Sequence, residues 1–120
     1  MDCMHVTIMV KNMEESIKFY EDIVGLTIDR RFVIEPDTEY CFLNAGGIQV
    51  ELIYHDYQES FSYGEDISIG FKTDSLDEVL KTLEAAGIKP LSEIISPNPH
   101  VKFFFVSDPD GVKIQFLEVN

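Results

Sequence analysis

Residues 5–20 recur in the second half of the chain. Shifted by 63 positions, His5-Val6-Thr7-Ile8-Met9 falls on Ser68-Ile69-Gly70-Phe71-Lys72, and Asn12-Met13-Glu14-Glu15 falls on Ser75-Leu76-Asp77-Glu78. One deletion later Gly25 meets Gly87, and a shift of 64 lays Gly47-Ile48-Gln49-Val50-Glu51-Leu52-Ile53 on Gly111-Val112-Lys113-Ile114-Gln115-Phe116-Leu117. A duplicated unit of this length is one supersecondary module, and each copy needs a neighbour to bury its apolar face. The copies differ where side chains can do chemistry: His5 stands opposite Ser68, and Glu51 opposite Gln115.

Each module opens with alternating residues. Val6, Ile8 and Val10 interleave with His5, Thr7 and Met9, and Ile67, Ile69 and Phe71 with Ser68, Gly70 and Lys72, which predicts a strand in each copy. A capping box follows in each, Asn12-x-x-Glu15 and Ser75-x-x-Glu78. Helical spacing then joins Met13, Ile17, Tyr20 and Val24 in one copy, and Leu76, Val79, Leu80 and Leu83 in the other. Gly25 and Gly87 stand where a left-handed residue ends a helix. Further strands are expected over 26–34, 38–44 and 48–54, and over 88–95, 101–107 and 112–119. Asn44-Ala45-Gly46-Gly47 and Asp108-Pro109-Asp110-Gly111 fill equivalent hairpin turns. The predicted class is α+β, a βαβββ unit used twice within one domain spanning 1–120. Module 1 covers 2–54 and module 2 covers 66–120, joined by a segment 55–65 that reads either as a linker or as a flap.

Composition narrows the function classes. With 120 residues and 45% hydrophobic content the chain suits one domain. It has no apolar run of the ~20 residues a membrane helix needs, and no basic-then-apolar leader, so a soluble cytoplasmic protein is expected. Cys3 and Cys41 are too few and too isolated for a disulfide framework or a zinc knuckle and are expected as reduced thiols. The formal charge of −13 repels nucleic acid and anionic lipid; it favours a cationic ligand, or simply keeps a small acidic protein soluble.

Strand parity locates the polar face. Ile48, Val50 and Leu52, with Val112, Ile114 and Phe116, share the face expected to pack on the helices. The opposite face carries Gln49, Glu51 and Ile53 in one copy and Lys113, Gln115 and Leu117 in the other. The opening strands add His5, Thr7 and Met9, and Ser68, Gly70 and Lys72. Within Phe103-Phe104-Phe105, alternate rings belong to opposite faces. Parity also puts Lys72 and Lys113 on the side of Glu51 as candidate ion-pair partners, while His55 and His100 lie in expected loops.

The paired modules carry specific motifs: the His5 strand leading into Ser16-Ile17-x-Phe19-Tyr20 and Gly25-Leu26, and the closing Asp108-Pro109-Asp110-Gly111-x-x-Ile114. In these the chain resembles the glyoxalase, bleomycin-resistance and extradiol-dioxygenase superfamily, the vicinal oxygen chelate proteins. The resemblance implies sheets curled around a cavity, often completed by a homodimer, and a divalent metal held by two side chains from each module. Carried over, the four ligand positions are His5, Glu51, Ser68 and Gln115. His5 and Glu51 match the glyoxalase I pattern. Ser68 and Gln115 replace the histidine and glutamate expected there, although Gln115 retains an amide oxygen.

The candidate metal set is therefore His5, Glu51 and Gln115, for nickel, cobalt, zinc or manganese held weakly or not at all. The remaining substrate-cavity candidates are Thr7, Ser68, Lys72, Lys113 and Phe103. Two functions stay open. One is small-molecule binding in the concave cavity with a degenerate metal site. The other is a metal-dependent lyase or isomerase of the glyoxalase I type with Glu51 as catalytic base, since an amide at Gln115 cannot accept a proton.

Overall fold

The computed structural model describes residues 1–120 and separates them into two compact units, Met1–Ser62 and Tyr63–Asn120. In the first unit the alternating segment forms β1 (His5–Met9), and Asn12 caps α1 (Met13–Lys18) by accepting a hydrogen bond at 3.0 Å from the Glu15 amide. The helix then widens into one π-helical stretch over Phe19–Ile23, where the Val24 amide bonds the Phe19 carbonyl five residues back. Phe19 and Tyr20 lie side by side in the core, their rings edge-on at 5.0 Å. Gly25 follows at φ +85°, and the Leu26 amide closes on the Tyr20 carbonyl.

Three strands complete the unit: β2 (Thr27–Ile34), β3 (Thr38–Ala45) and β4 (Ile48–His55). The sheet order is β1-β4-β3-β2, with β1 parallel to β4 and the other pairs antiparallel. Val10, Cys41, Leu43, Val50 and Leu52 are almost wholly buried on the helix side. Residues 55–62 lie with this unit: His55 ends β4, its Nδ1 2.8 Å from the Thr38 hydroxyl and its ring stacked on Tyr57, and Lys11 sits over the Phe61 ring.

The second unit repeats the plan with β5 (Ser68–Lys72), α2 (Leu76–Ala85), β6 (Ile95–Asn98), β7 (Val101–Ser107) and β8 (Lys113–Val119). Ser75 caps α2 through the Glu78 amide, and the sheet order β5-β8-β7-β6 mirrors the first. Leu76, Leu83, Phe104, Ile114 and Phe116 form its core.

The one displaced element is the strand expected over 88–95. Ile88 still closes the end of α2 on the Leu83 carbonyl, and Pro90 has no amide to give a ladder. Leu91 makes an isolated bond to the Phe105 carbonyl, and strand pairing with β7, itself irregular, begins only at Ile95. No helix is long and apolar enough to cross a membrane.

Burial pushes the Cys41 thiol up to about 11, while Cys3 is exposed and both are free. Ellman titration of the native protein at pH 8 is expected to find one reactive thiol per chain, with the second appearing only in denaturant. Two fast thiols in the native state would refute this placement of β3.

Candidate functional site

In the first unit β1 and β4 bring His5, Thr7 and Glu51 together. Thr7 lies directly across from Glu51 in the parallel register, and His5 lies one pleat away across from Gln49. The Thr7 hydroxyl donates to Glu51 Oε1 at 2.5 Å, and His5 Nε2 stands 3.5 Å from the same oxygen. Glu51 is only 8% exposed although it points away from the helix. A carboxylate so enclosed needs donors; the Thr7 hydroxyl supplies one, and the His5 imidazole stands beside the same oxygen. Both of these neighbours lie within its own unit.

An aromatic group borders this cluster. Phe42 pairs in register with Glu51, meets the His5 ring edge-on at 6.0 Å, and carries the Arg30 guanidinium 4.1 Å above its centroid. Phe32 stacks on Tyr40 at 5.0 Å alongside. Arg30 escaped detection in the sequence because the register slips between Ile28 and Arg30. The bulge at Asp29 turns Arg30 and Phe32 onto the Glu51 side, while Ile28 opposes Leu43 on the helix side. Asp29 in turn accepts a hydrogen bond at 3.0 Å from Gln49 Nε2. Two acidic contacts to Arg31 lie on the reverse face, from Glu14 and from Glu39.

The second unit repeats the backbone but changes the chemistry. Gln115 takes the place of Glu51, and the residue across from it is Gly70 where the first unit has Thr7. A Cβ built on Gly70 would come within 3.1 Å of Gln115 Oε1 and of Leu117 Cδ1, so the amide lies over the bare glycine backbone. Ser68 pairs across from Lys113, Lys72 from Leu117, and Phe103 and Phe105 alternate onto this face from β7. Lys113 Nζ sits 4.3 Å from the Phe105 centroid. Phe105 was missed as a site-forming residue although the alternation of the phenylalanines carried the signal; parity had put Gly70 on this face, but nothing in the sequence announced that the Gln115 amide lies over it.

As potential metal donors, the first unit offers one imidazole and one carboxylate, and the second a hydroxyl and an amide. No three His, Cys, Asp or Glu side chains gather anywhere in the chain. Transition-metal sites in proteins usually take three or four imidazole, thiolate or carboxylate donors. This donor set does not fit a preformed tetrad.

Comparison with known proteins places this arrangement. The family description Glyoxalase/Bleomycin resistance protein/Dioxygenase superfamily matches residues 3–116. A lactoylglutathione lyase of Haemophilus influenzae is 29% identical, the match covering 98% of this chain and 93% of the relative. A probable trivalent organoarsenical cleaving enzyme of Bacillus subtilis is 30% identical over 98% of this chain and 80% of its own. Among solved structures, the trypanothione-dependent glyoxalase I of Leishmania major superposes with a TM-score of 0.83 at 25% identity, covering 98% of this chain and 86% of that one. With its tandem βαβββ units and a family match over nearly its whole length, the chain belongs to the glyoxalase/bleomycin resistance protein/dioxygenase superfamily.

Proposed function

We propose that this protein binds a small molecule through the polar faces of its sheets and does not run the glyoxalase I reaction. The observation that carries the reading is the contrast between the two closing strands. Glu51 is held by Thr7 and His5, while the equivalent Gln115 rests over Gly70 with neither a hydroxyl nor an imidazole across from it. Proton transfer between adjacent carbons needs a base of suitable pKa at each stage and a group that stabilises the intermediate oxyanion. Gln115 cannot take up a proton, and replacing an anionic donor by a neutral one removes charge that would balance a cation. The first unit's cluster is better suited to orienting a ligand: Glu51 and His5 accept or donate hydrogen bonds beside the Phe42 and Phe32 rings. The similarity to lactoylglutathione lyases favours the competing reading, in which His5, Glu51 and Gln115 hold a metal and Glu51 is the base.

Metal content separates the two. Untagged protein grown with nickel, cobalt, zinc and manganese is expected to carry far less than one ion per chain by inductively coupled plasma mass spectrometry. It is also expected to isomerise the hemithioacetal of methylglyoxal and glutathione no faster than buffer containing the same metals. Near-stoichiometric metal lost in His5→Ala and Glu51→Ala, with turnover abolished in Glu51→Gln, would overturn the binding reading.

A further inference from the structure

The face of the second sheet that looks away from α2 carries charge of one sign only. Lys72 and Lys113 alternate onto it from β5 and β8, and no acidic residue of β5, β7 or β8 shares it. The sole acid on those strands, Glu118, has the opposite parity: it pairs with Lys102 at 2.9 Å and accepts from the Leu76 amide at the start of α2. Acids outnumber Lys and Arg by 22 to 9 in this chain, so an acid-free face with two lysines departs from the general composition. Neither lysine takes part in an ion pair.

The surroundings of Lys113 add shape. Its ammonium lies over the Phe105 ring, and Phe105 meets Phe103 edge-on at 5.7 Å, which leaves a half-exposed aromatic ledge beside a cation. Gln115, directly across from Phe105 in register, has a carboxamide with no protein hydrogen bond and lies over the bare backbone of Gly70. Lysine supplies a point charge, the amide supplies a directional donor and acceptor, and the rings supply a flat apolar surface. A cationic ring would meet two uncompensated ammonium groups here. An anionic ring would be attracted by both.

Resting on the small-molecule reading above, we propose that the ligand is a planar aromatic carboxylate. Its acid group meets Lys113 and the Gln115 Nε2, its ring lies along Phe103 and Phe105, and Lys72 adds long-range attraction. Ligand exchange needs no covalent step.

Three probes of one shape and different charge test this: 2-naphthoate, 2-naphthamide and 2-naphthamidine, titrated into the ¹⁵N-labelled full chain and followed by amide chemical shifts. Naphthoate is expected to move the amides of β5, β7 and β8 and to bind roughly tenfold more tightly than the amide, as partly exposed ion pairing and cation–π contacts allow. The preference is expected to vanish in Lys113→Met, to persist in Lys113→Arg, and to weaken with salt. Lys113 is exposed, so the variant keeps its fold, which its own amide spectrum verifies. Naphthamidine binding these strands as tightly as naphthoate would overturn the anionic assignment while leaving small-molecule binding intact. Naphthoate binding unchanged in Lys113→Met, or none of the three moving these strands, would overturn it too. Failure of the binding reading itself shows separately, as stoichiometric metal with turnover.

Discussion

Phe104→Ala is expected to cost about 3–5 kcal/mol of folding stability, most of what a domain of this size possesses. The ring is 0% exposed, pairs in register with Phe116, and lies 5.8 Å from that ring within the core between β7, β8 and α2. Truncation removes the transfer energy of the ring and leaves a cavity that rigid strands on either side close only in part. The neighbours Phe103 and Phe105 project from the opposite face and are half-buried, so each is expected to cost closer to 1 kcal/mol on truncation. Urea denaturation followed by circular dichroism, with amide exchange on β7 and β8 as the local probe, reads both. The Phe104 variant is expected to lose roughly 2 M in its midpoint, given m-values of about 1–3 kcal/mol/M. Equal losses at 103 and 104 would mean that the parity of β7 is wrong, and with it the composition of the ligand-facing side.

Much of this fold was legible because period and punctuation agreed. The alternation in 5–10 and 67–72, the two capping boxes and the glycines at the helix ends all led to the elements found, with Gly25 and Gly87 at φ +85° and +72°. What alternation cannot convey is a change of phase. The β2 bulge reverses the facing of every residue on one side of it, so Arg30 and Phe32 join the site although Ile28 belongs to the core side. Likewise 88–95 has apolar residues at strand-like spacing, but Pro90 and the single bond made by Leu91 keep most of it out of the ladder. The π-helical stretch at Phe19–Ile23 left no trace in the spacing of Met13, Ile17, Tyr20 and Val24.

The candidate site was readable at the level of which strands and which faces, but less so in its energetics. Parity placed Thr7, His5 and Glu51 on one side, and the structure adds that the first two converge on one carboxylate oxygen of the third. Substitution at two of four positions therefore has a consequence beyond losing ligands. In the first unit the duplicated backbone keeps a satisfied acid; in the second it exposes an unpaired amide and two lysines. Divergence between the copies has given one module a site of mixed charge and the other a cationic face.

Asp108→Ala is expected to lower stability by about 3 kcal/mol, while Asp108→Asn costs about 1 kcal/mol. Asp108 is 4% exposed, and its Oδ1 accepts from two backbone amides, Asp110 at 2.8 Å and Val112 at 2.9 Å. These bonds hold a turn in which Gly111 takes φ +94° and donates to the Asp108 carbonyl at 3.1 Å. Alanine leaves both amides without that oxygen, and Val112 is buried, so water cannot replace it there without opening the turn. Asparagine keeps an acceptor oxygen in the same place and loses only its charge. The turn sets where β8 begins, so its failure would shift Lys113 and Gln115 together. At roughly 4 °C of melting temperature per kcal/mol for a chain of this length, the alanine variant should melt about 12 °C lower and the asparagine variant about 4 °C lower. The equivalent turn of the first unit starts from the exposed Asn44, whose Oδ1 accepts only from the Gln49 side chain at 3.1 Å, and Asn44→Ala is expected to stay within about 1 kcal/mol. Equal melting temperatures for the two Asp108 variants would show that charge, rather than acceptor geometry, holds the turn, and equal losses at 44 and 108 would show that the two copies still share one turn mechanism.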